Sequence, residues 1–203
     1  MKPITRAYID VDSKKGLAPF SRHLVKHGIK IICPQTMVSE FGSRGVQVTA
    51  VKMVYSSPLL QTTNGKRSPC QSALQGEKPN RLFSVDEMFC FNVGGVEQIG
   101  LVVVNLPLPC KVSRPQLGDQ STEVERTRLA LLTAATYESG VIVIYDPFQY
   151  RSFVKKLEWR GLDHQADAAY LCELRQSALG FLAAFTAQRA QACAAATETS
   201  DDE

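Results

Sequence analysis

The sequence has 203 residues, of which 44% are hydrophobic, and this supplies enough apolar side chains for the core of one globular domain. Its formal net charge of +3 is small, and its Lys and Arg residues are scattered, so nucleic-acid binding is not expected. No apolar run approaches the roughly 20 residues that a membrane-spanning helix needs. These properties exclude a membrane-spanning protein and favour a soluble one.

The six cysteines lie far apart and form no Cys-x-x-Cys pair, so the sequence shows neither a zinc knuckle nor a redox motif. Residues 1–12 have the pattern of neither a secretory signal peptide nor a transit peptide. We therefore expect reduced thiols, a cytoplasmic location and no cofactor.

The first quarter of the chain alternates strand and helix patterns. Residues 7–11 predict a strand, and apolar residues at helical spacing from Leu17 onward predict a helix that ends at Gly28. A β-branched strand follows at residues 29–32, then a helix at 36–43 and a strand at 46–51. This order is typical of a parallel sheet covered by helices.

The remainder begins with a polar segment at residues 56–80, which we interpret as a long loop. The patterns then predict strands at 101–105 and 141–145, and helices at 122–137 and 150–160. A long alanine-rich helix is expected at about 165–196, broken only at Gly180. The sequence thus predicts one domain over residues 1–196 and a disordered acidic tail over residues 197–203.

Several segments resemble one enzyme family. The strand Val102-Val-Val-Asn-Leu-Pro107 is similar to Val-Val-Val-Asn-Leu-Tyr-Pro of IMP cyclohydrolase, the amino-terminal domain of the bifunctional enzyme AICAR transformylase/IMP cyclohydrolase. Residues 6–16, with Lys14 at the family's lysine, and residues 143–150, similar to Val-Val-Asp-Pro-x-x-Tyr, extend the match. The resemblance implies a divergent stand-alone homologue with a methylglyoxal-synthase-like fold. That fold is a three-layer α/β sandwich around a mostly parallel sheet, with a long carboxy-terminal helix.

The resemblance also implies a purine nucleotide ligand of the IMP or AICAR type, and a homo-oligomer or a protein complex. The residues expected to bind the nucleotide are Lys14, Thr36, Lys66, Arg67 and Asn105. For Lys66 and Arg67, which follow an Asn-Gly pair, an ordinary solvated turn is an equal alternative.

Other positions depart from the family pattern. Asp10 replaces a serine, and its carboxylate would repel a phosphate. The segment Cys33-Pro-Gln-Thr-Met37 replaces Ser-Thr-Gly-Gly-Thr, so Pro34 removes an N–H donor and larger residues replace the glycines. Pro107 stands in place of an active-site tyrosine, Arg128 in place of an aspartate, and the lysine associated with cyclisation has no counterpart.

Two further motifs have competing interpretations. His23 and His27 are spaced for one metal ion on a helix face, but no third ligand accompanies them, which favours a surface pair. Cys33 is either a thiol of lowered pKa near a helix N-terminus or a buried, inert one, and we favour the second.

We therefore predict a degenerate, catalytically impaired member of this family that serves as a structural or interaction subunit or as a weak purine-nucleotide binder. The alternative is an active stand-alone IMP cyclohydrolase, which closes FAICAR to IMP with loss of water. The related methylglyoxal synthase and the allosteric domain of carbamoyl-phosphate synthetase share the core, but both favour a glycine-containing phosphate loop that is absent here.

Overall fold

A computed structural model describes residues 4–51, 99–106, 119–136, 141–160 and 167–198. Within these ranges the strands are β1 (Arg6–Val11), β2 (Lys30–Pro34), β3 (Val48–Val51), β4 (Ile99–Asn105) and β5 (Ile142–Ile144). The α-helices are α1 (Leu17–Lys26), α2 (Val38–Gly42), α3 (Asp119–Thr136), α4 (Gln149–Arg160) and α5 (Ala168–Glu198). A 3-10 turn, Gln35–Met37, precedes α2.

The described strands form one parallel sheet in the order β3-β2-β1-β4-β5. From β1 the chain moves outward to β2 and β3, and it then crosses to the other side of β1 to form β4 and β5. The strand order therefore reverses between β1 and β4, where Val11 is in register with Asn105. In open parallel sheets such a reversal leaves a crevice beyond the carboxyl ends of the two strands, and ligands bind there.

Both faces of the sheet are covered, which agrees with the predicted α/β sandwich. On the first face, Ala7 and Ile9 of β1 pack with apolar residues of α1, α2 and α4. On the second face, Tyr8 of β1 and Val102 of β4 pack with the alanines of α3. Because β-strand side chains alternate between faces, the continuous apolar runs of β1 and β4 supply both cores.

The long helix α5 contributes to both cores. Leu174 packs into the first core, whereas Leu182 and Phe185 pack into the second. Its beginning is fixed by Asp167, whose side chain is 1% exposed and accepts a 2.8 Å hydrogen bond from Lys156 Nζ of α4. The Lys156 ammonium also lies 4.6 Å from the centre of the Tyr170 ring.

Two element predictions are wrong in detail. The helix predicted at 36–43 is a 3-10 turn followed by the five-residue helix α2. The break predicted at Gly180 does not exist, because α5 is continuous through this residue. The long helix continues to Glu198, so the first two residues of the tail predicted at 197–203 are helical. The rest of that tail and the segment at 56–80 lie outside the described residues, so the remaining tail, the long loop and the division into domains stay predictions.

Candidate functional site

The carboxyl edge of the sheet brings together three of the five predicted nucleotide-binding residues. Asn105 is the last residue of β4, Lys14 lies in the loop after β1, and Thr36 lies in the 3-10 turn after β2. These three strands are neighbours, so the residues share the edge at which the strand order reverses. Lys66 and Arg67 lie outside the described residues.

Asn105 joins the two strand ends at the crevice. Its Oδ1 accepts a 2.9 Å hydrogen bond from the Ser13 backbone N–H, and its Nδ2 donates a 3.3 Å bond to the Ser13 carbonyl. The residue is only 6% exposed, so the amide is largely withdrawn from solvent. Within the described contacts, Asn105 holds the β1–α1 loop in place.

The Lys14 ammonium forms an ion pair with a carboxylate of the same chain. Its Nζ lies 3.2 Å from Glu40 Oε2 of α2, and the same carboxylate accepts a 2.7 Å hydrogen bond from Arg44 Nε. The hydrogen bond from Lys14, followed by that from Arg44, lowers the pKa of Glu40, so the carboxylate is ionised at neutral pH. An anionic ligand at Lys14 must therefore compete with Glu40.

Thr36 occupies the segment where the family has glycines. Thr36 and its neighbour Gln35 are exposed, while Pro34 is buried at the end of β2. Proline has no N–H to offer an anion. The helix that follows has only five residues, so it is too short to add a significant helix dipole. The Thr36 hydroxyl thus lies at the carboxyl edge of the sheet, but the residues around it do not form a phosphate-binding loop.

Asp10, which replaces a family serine, lies on the second face of the sheet rather than in the crevice. It is 5% exposed, and its Oδ2 accepts 3.2 Å hydrogen bonds from the Tyr8 hydroxyl and the Thr127 hydroxyl. Because Thr127 belongs to α3, this buried carboxylate ties that helix to β1.

Cys33 is an inert thiol. It is fully buried, and burial together with the negative charge of Asp10 raises its pKa to about 12. The alternative of a thiol with a lowered pKa is therefore wrong, since a thiolate is not available at neutral pH.

Tyr150 lies near the candidate site, although the sequence did not single it out. Its ring stacks on Phe20 of α1 with centroids 4.3 Å apart, and its buried hydroxyl lacks a hydrogen bond of ordinary geometry within the described residues. Burial raises its pKa to about 12, although the nearby Asn105 side chain acts in the opposite direction. The family-like Asp-Pro-x-x-Tyr segment was the available signal. Tyr150 places a phenol beside Asn105, next to the crevice.

Lys15 and Phe148 were also missed. Phe148 is 80% exposed in the turn between β5 and α4, and Lys15 Nζ lies 5.2 Å from the centre of its ring. The two residues are far apart in sequence, so only the fold brings them together. This contact extends the basic β1–α1 loop across the end of β4 toward β5.

One histidine of the predicted surface pair contacts a carboxylate of a neighbouring helix. His23 Nδ1 lies 2.9 Å from Glu158 Oε1 of α4, and both side chains are substantially exposed. In the described ranges there is no group of three His, Cys, Asp or Glu side chains suited to a metal ion. Among the described helices, none is both long and apolar enough to cross a membrane.

Comparisons with known proteins identify relatives of this chain. No family model matches it. The bifunctional purine biosynthesis protein PurH of Listeria welshimeri is 27% identical over 161 residues, and that of Listeria monocytogenes serotype 4a is 29% identical over 161 residues. Each alignment covers 77% of this chain but only 31% of the relative. The chain thus spans about a third of the length of the curated relatives that it matches.

A solved structure supports the same relationship at the level of the fold. The crystal structure of ForH matches with a TM-score of 0.59 at 22% identity, and it covers 93% of this chain and 97% of the ForH chain. At this identity the match concerns the fold alone. The sequence alignments and the shared α/β fold agree, and the chain is homologous to PurH over 77% of its length, at modest identity.

Proposed function

We propose that this chain is a degenerate, catalytically impaired IMP cyclohydrolase-like protein of the cytoplasm that binds purine nucleotides weakly at the carboxyl edge of its sheet. It serves as a structural or interaction subunit. The observation that carries this proposal is the ion pair between Lys14 and Glu40. The cation at the family's lysine position is paired with Glu40 of the same chain, and Arg44 shares that carboxylate.

The side chains at the carboxyl edge of the sheet support the proposal of impaired catalysis. Closing FAICAR to IMP needs an oriented substrate and donors that stabilise the developing oxyanion. Here the Asn105 amide is directed at Ser13, and the Lys14 ammonium is paired with Glu40. The groups retained at this edge therefore support the fold more directly than they support a reaction.

Calorimetric titration with IMP, AICAR and XMP, followed by a FAICAR cyclisation assay on the same sample, tests the proposal. We expect weak binding and no turnover. Glu40→Gln removes the competing carboxylate charge and should tighten IMP binding by about two- to fivefold, the range of an exposed ion pair. Glu158→Gln is the matched control, because Glu158 pairs with His23 away from the crevice.

The outcomes distinguish the parts of the proposal. Tighter binding in Glu40→Gln alone supports a nucleotide site that includes Lys14. Equal binding in both variants contradicts a role for Lys14. No binding of any nucleotide leaves only the structural role.

The second candidate is an active stand-alone IMP cyclohydrolase. It is favoured by the presence of Lys14, Thr36 and Asn105 at one edge, where the Tyr150 phenol would replace the missing family tyrosine. Turnover of FAICAR by the wild-type chain would establish this function, and Tyr150→Phe should then lower the rate.

The interaction role implies an oligomer or a partner. We propose a homo-oligomer or a complex with another protein as the functional form. Light scattering coupled to size-exclusion chromatography tests the first of these directly, because a monomer at all concentrations would exclude the homo-oligomer.

A further inference from the structure

We infer that Phe148 is a stacking platform for the base of a purine nucleoside monophosphate whose phosphate is held by the basic β1–α1 loop. This inference rests on the proposed nucleotide binding and specifies where the base lies. Phe148 is 80% exposed, the largest exposed fraction among the large apolar side chains that the structure describes. A single exposed apolar residue is ordinary on protein surfaces, so the inference depends on the residues around Phe148.

The turn that carries Phe148 is held by specific contacts. Its backbone N–H donates a 2.9 Å hydrogen bond to Asp146 Oδ1. Gln149 Oε1 accepts hydrogen bonds from the N–H groups of Tyr145 and Asp146 at 3.0 and 3.1 Å. Two residues after Phe148, the Tyr150 ring stacks on Phe20 and anchors the start of α4 in the first core. The Phe148 ring is therefore presented to solvent by a fixed turn.

The position of the ring fits a ligand that bridges two loops. Phe148 follows β5, and Lys15 follows β1, so both lie at the carboxyl edge and flank the end of β4. The Lys15 ammonium lies 5.2 Å from the ring centre, which is within the range of a cation–π contact. One edge of the crevice thus offers an aromatic surface beside a positive charge.

An aromatic surface beside a positive charge favours the binding of an anion that carries an aromatic ring. The exposed ring retains accessible surface for a planar base, and stacking of bases on aromatic side chains tolerates different bases because each has a π-face. Lys15 supplies positive charge for a phosphate, and Lys14 adds a second positive charge when the phosphate displaces Glu40. Lys14 points toward Glu40 and Lys15 toward Phe148, so the loop carries charge on both sides of the crevice.

Ligand-observed NMR titration of the full chain tests the assignment, because it detects weak binding. The probes are IMP and ribose 5-phosphate, which carries the phosphate without the base. Phe148→Ala should weaken IMP binding by about fivefold or more, the lower limit of a base–aromatic stack, and leave ribose 5-phosphate binding unchanged. Phe148→Trp should restore IMP binding. Leu179→Ala, at another exposed apolar residue on α5, is the control and should match the wild type.

Three results would overturn the inference. Equal IMP affinity in Phe148→Ala and the wild type shows that the ring does not contact the base, while nucleotide binding itself survives. An equal loss of IMP and ribose 5-phosphate binding shows that the substitution disturbs the loop. Absence of IMP binding to the wild type rejects both this inference and the nucleotide site on which it rests.

Discussion

Asn105 illustrates how one side chain combines structural and binding chemistry. An amide carries a donor and an acceptor on the same carbon, so it can pair with both the N–H and the carbonyl of one residue. Asn105 does this with Ser13 across the reversal in strand order. The geometry of the β1–α1 loop, and hence the placement of Lys14 and Lys15, depends on that pairing.

Replacing Asn105 by Asp should destabilise the protein by about 1–3 kcal/mol, because a carboxylate cannot donate to the Ser13 carbonyl and two acceptors would face each other. Urea unfolding measures the change in the free energy of unfolding. Gln47→Glu, the same amide-to-acid change at an exposed residue, is the control and should have little effect. Equal unfolding midpoints for the two variants would show that the Ser13 contacts contribute nothing.

The sequence identified Asn105, Lys14 and Thr36 because each follows a recognisable strand or resembles a family motif. The structure places all three at one edge, since carboxyl ends of neighbouring parallel strands meet there, and their role in binding stays a prediction. Tyr150 and Phe148 were not identified. Their placement at this edge depends on contacts with Phe20 and Lys15, which a pattern along the chain does not encode.

At the scale of elements, α5 shows how neighbouring residues outweigh a local signal. Glycine is a weak helix former and predicts a break. Yet Gly180 lies between segments that pack into the two cores through Leu174 and Leu182, and the helix passes through it. Tertiary packing of both flanking turns compensates for the unfavourable propensity at one residue.

Gly180→Ala should therefore stabilise the protein by about 0.5–1 kcal/mol, because alanine loses less backbone entropy on entering a helix. The structure has room for the added methyl group, since no atom beyond its two chain neighbours and the backbone of its own helix lies within 4 Å of the Cβ position. Thermal unfolding should show a higher Tm.

Gly28→Ala is a matched control for that experiment. Its Cβ also meets no atom within 4 Å, but its φ of +75° is in the left-handed region. Alanine there should lower the Tm, because the left-handed conformation costs about 1–2 kcal/mol for a residue with a Cβ. If both variants move the Tm in the same direction, backbone conformation is not the cause.

The short elements explain the remaining differences from prediction. The sequence favours a helix over 36–43, but the three residues after Pro34 form a 3-10 turn before α2 begins at Val38. A short segment contributes few apolar positions, so its boundaries are set by contacts such as the burial of Met37 and Phe41 in the first core. By contrast, the long apolar runs of β1 and β4 identify their strands directly, because both faces of a parallel strand are buried.

At the scale of the whole molecule, the first core contains two ionisable groups that fold in their neutral forms. Burial, with a contribution from Asp10, raises the pKa of Cys33 from 9.0 to about 12. Burial likewise raises the pKa of Tyr150 from 10.0 to about 12. Cys33 lies near the end of β2 and Tyr150 near the start of α4, so deprotonation of either group opposes the packing of that face.

These pKa shifts predict a loss of stability in alkaline solution. Between pH about 9 and about 12 the unfolded chain has released the Cys33 proton while the folded chain retains it. The unfolded state then binds fewer protons, so the free energy of unfolding falls as pH rises, by at most about 1.4 kcal/mol per pH unit for each group. Below the unfolded-state pKa the contribution is fully present and independent of pH.

Urea unfolding between about pH 8 and about pH 11 under reducing conditions measures this dependence. Cys33→Ala creates a small cavity and lowers stability at neutral pH, but its alkaline decline should be shallower than that of the wild type. Cys172→Ala is the control, because this thiol is exposed, and its decline should parallel that of the wild type. Parallel curves for all three proteins would mean that the folded chain admits a Cys33 thiolate. In that case the first core would be less closed to solvent than its packing implies, and Cys33 would again be a candidate for chemistry at the carboxyl edge.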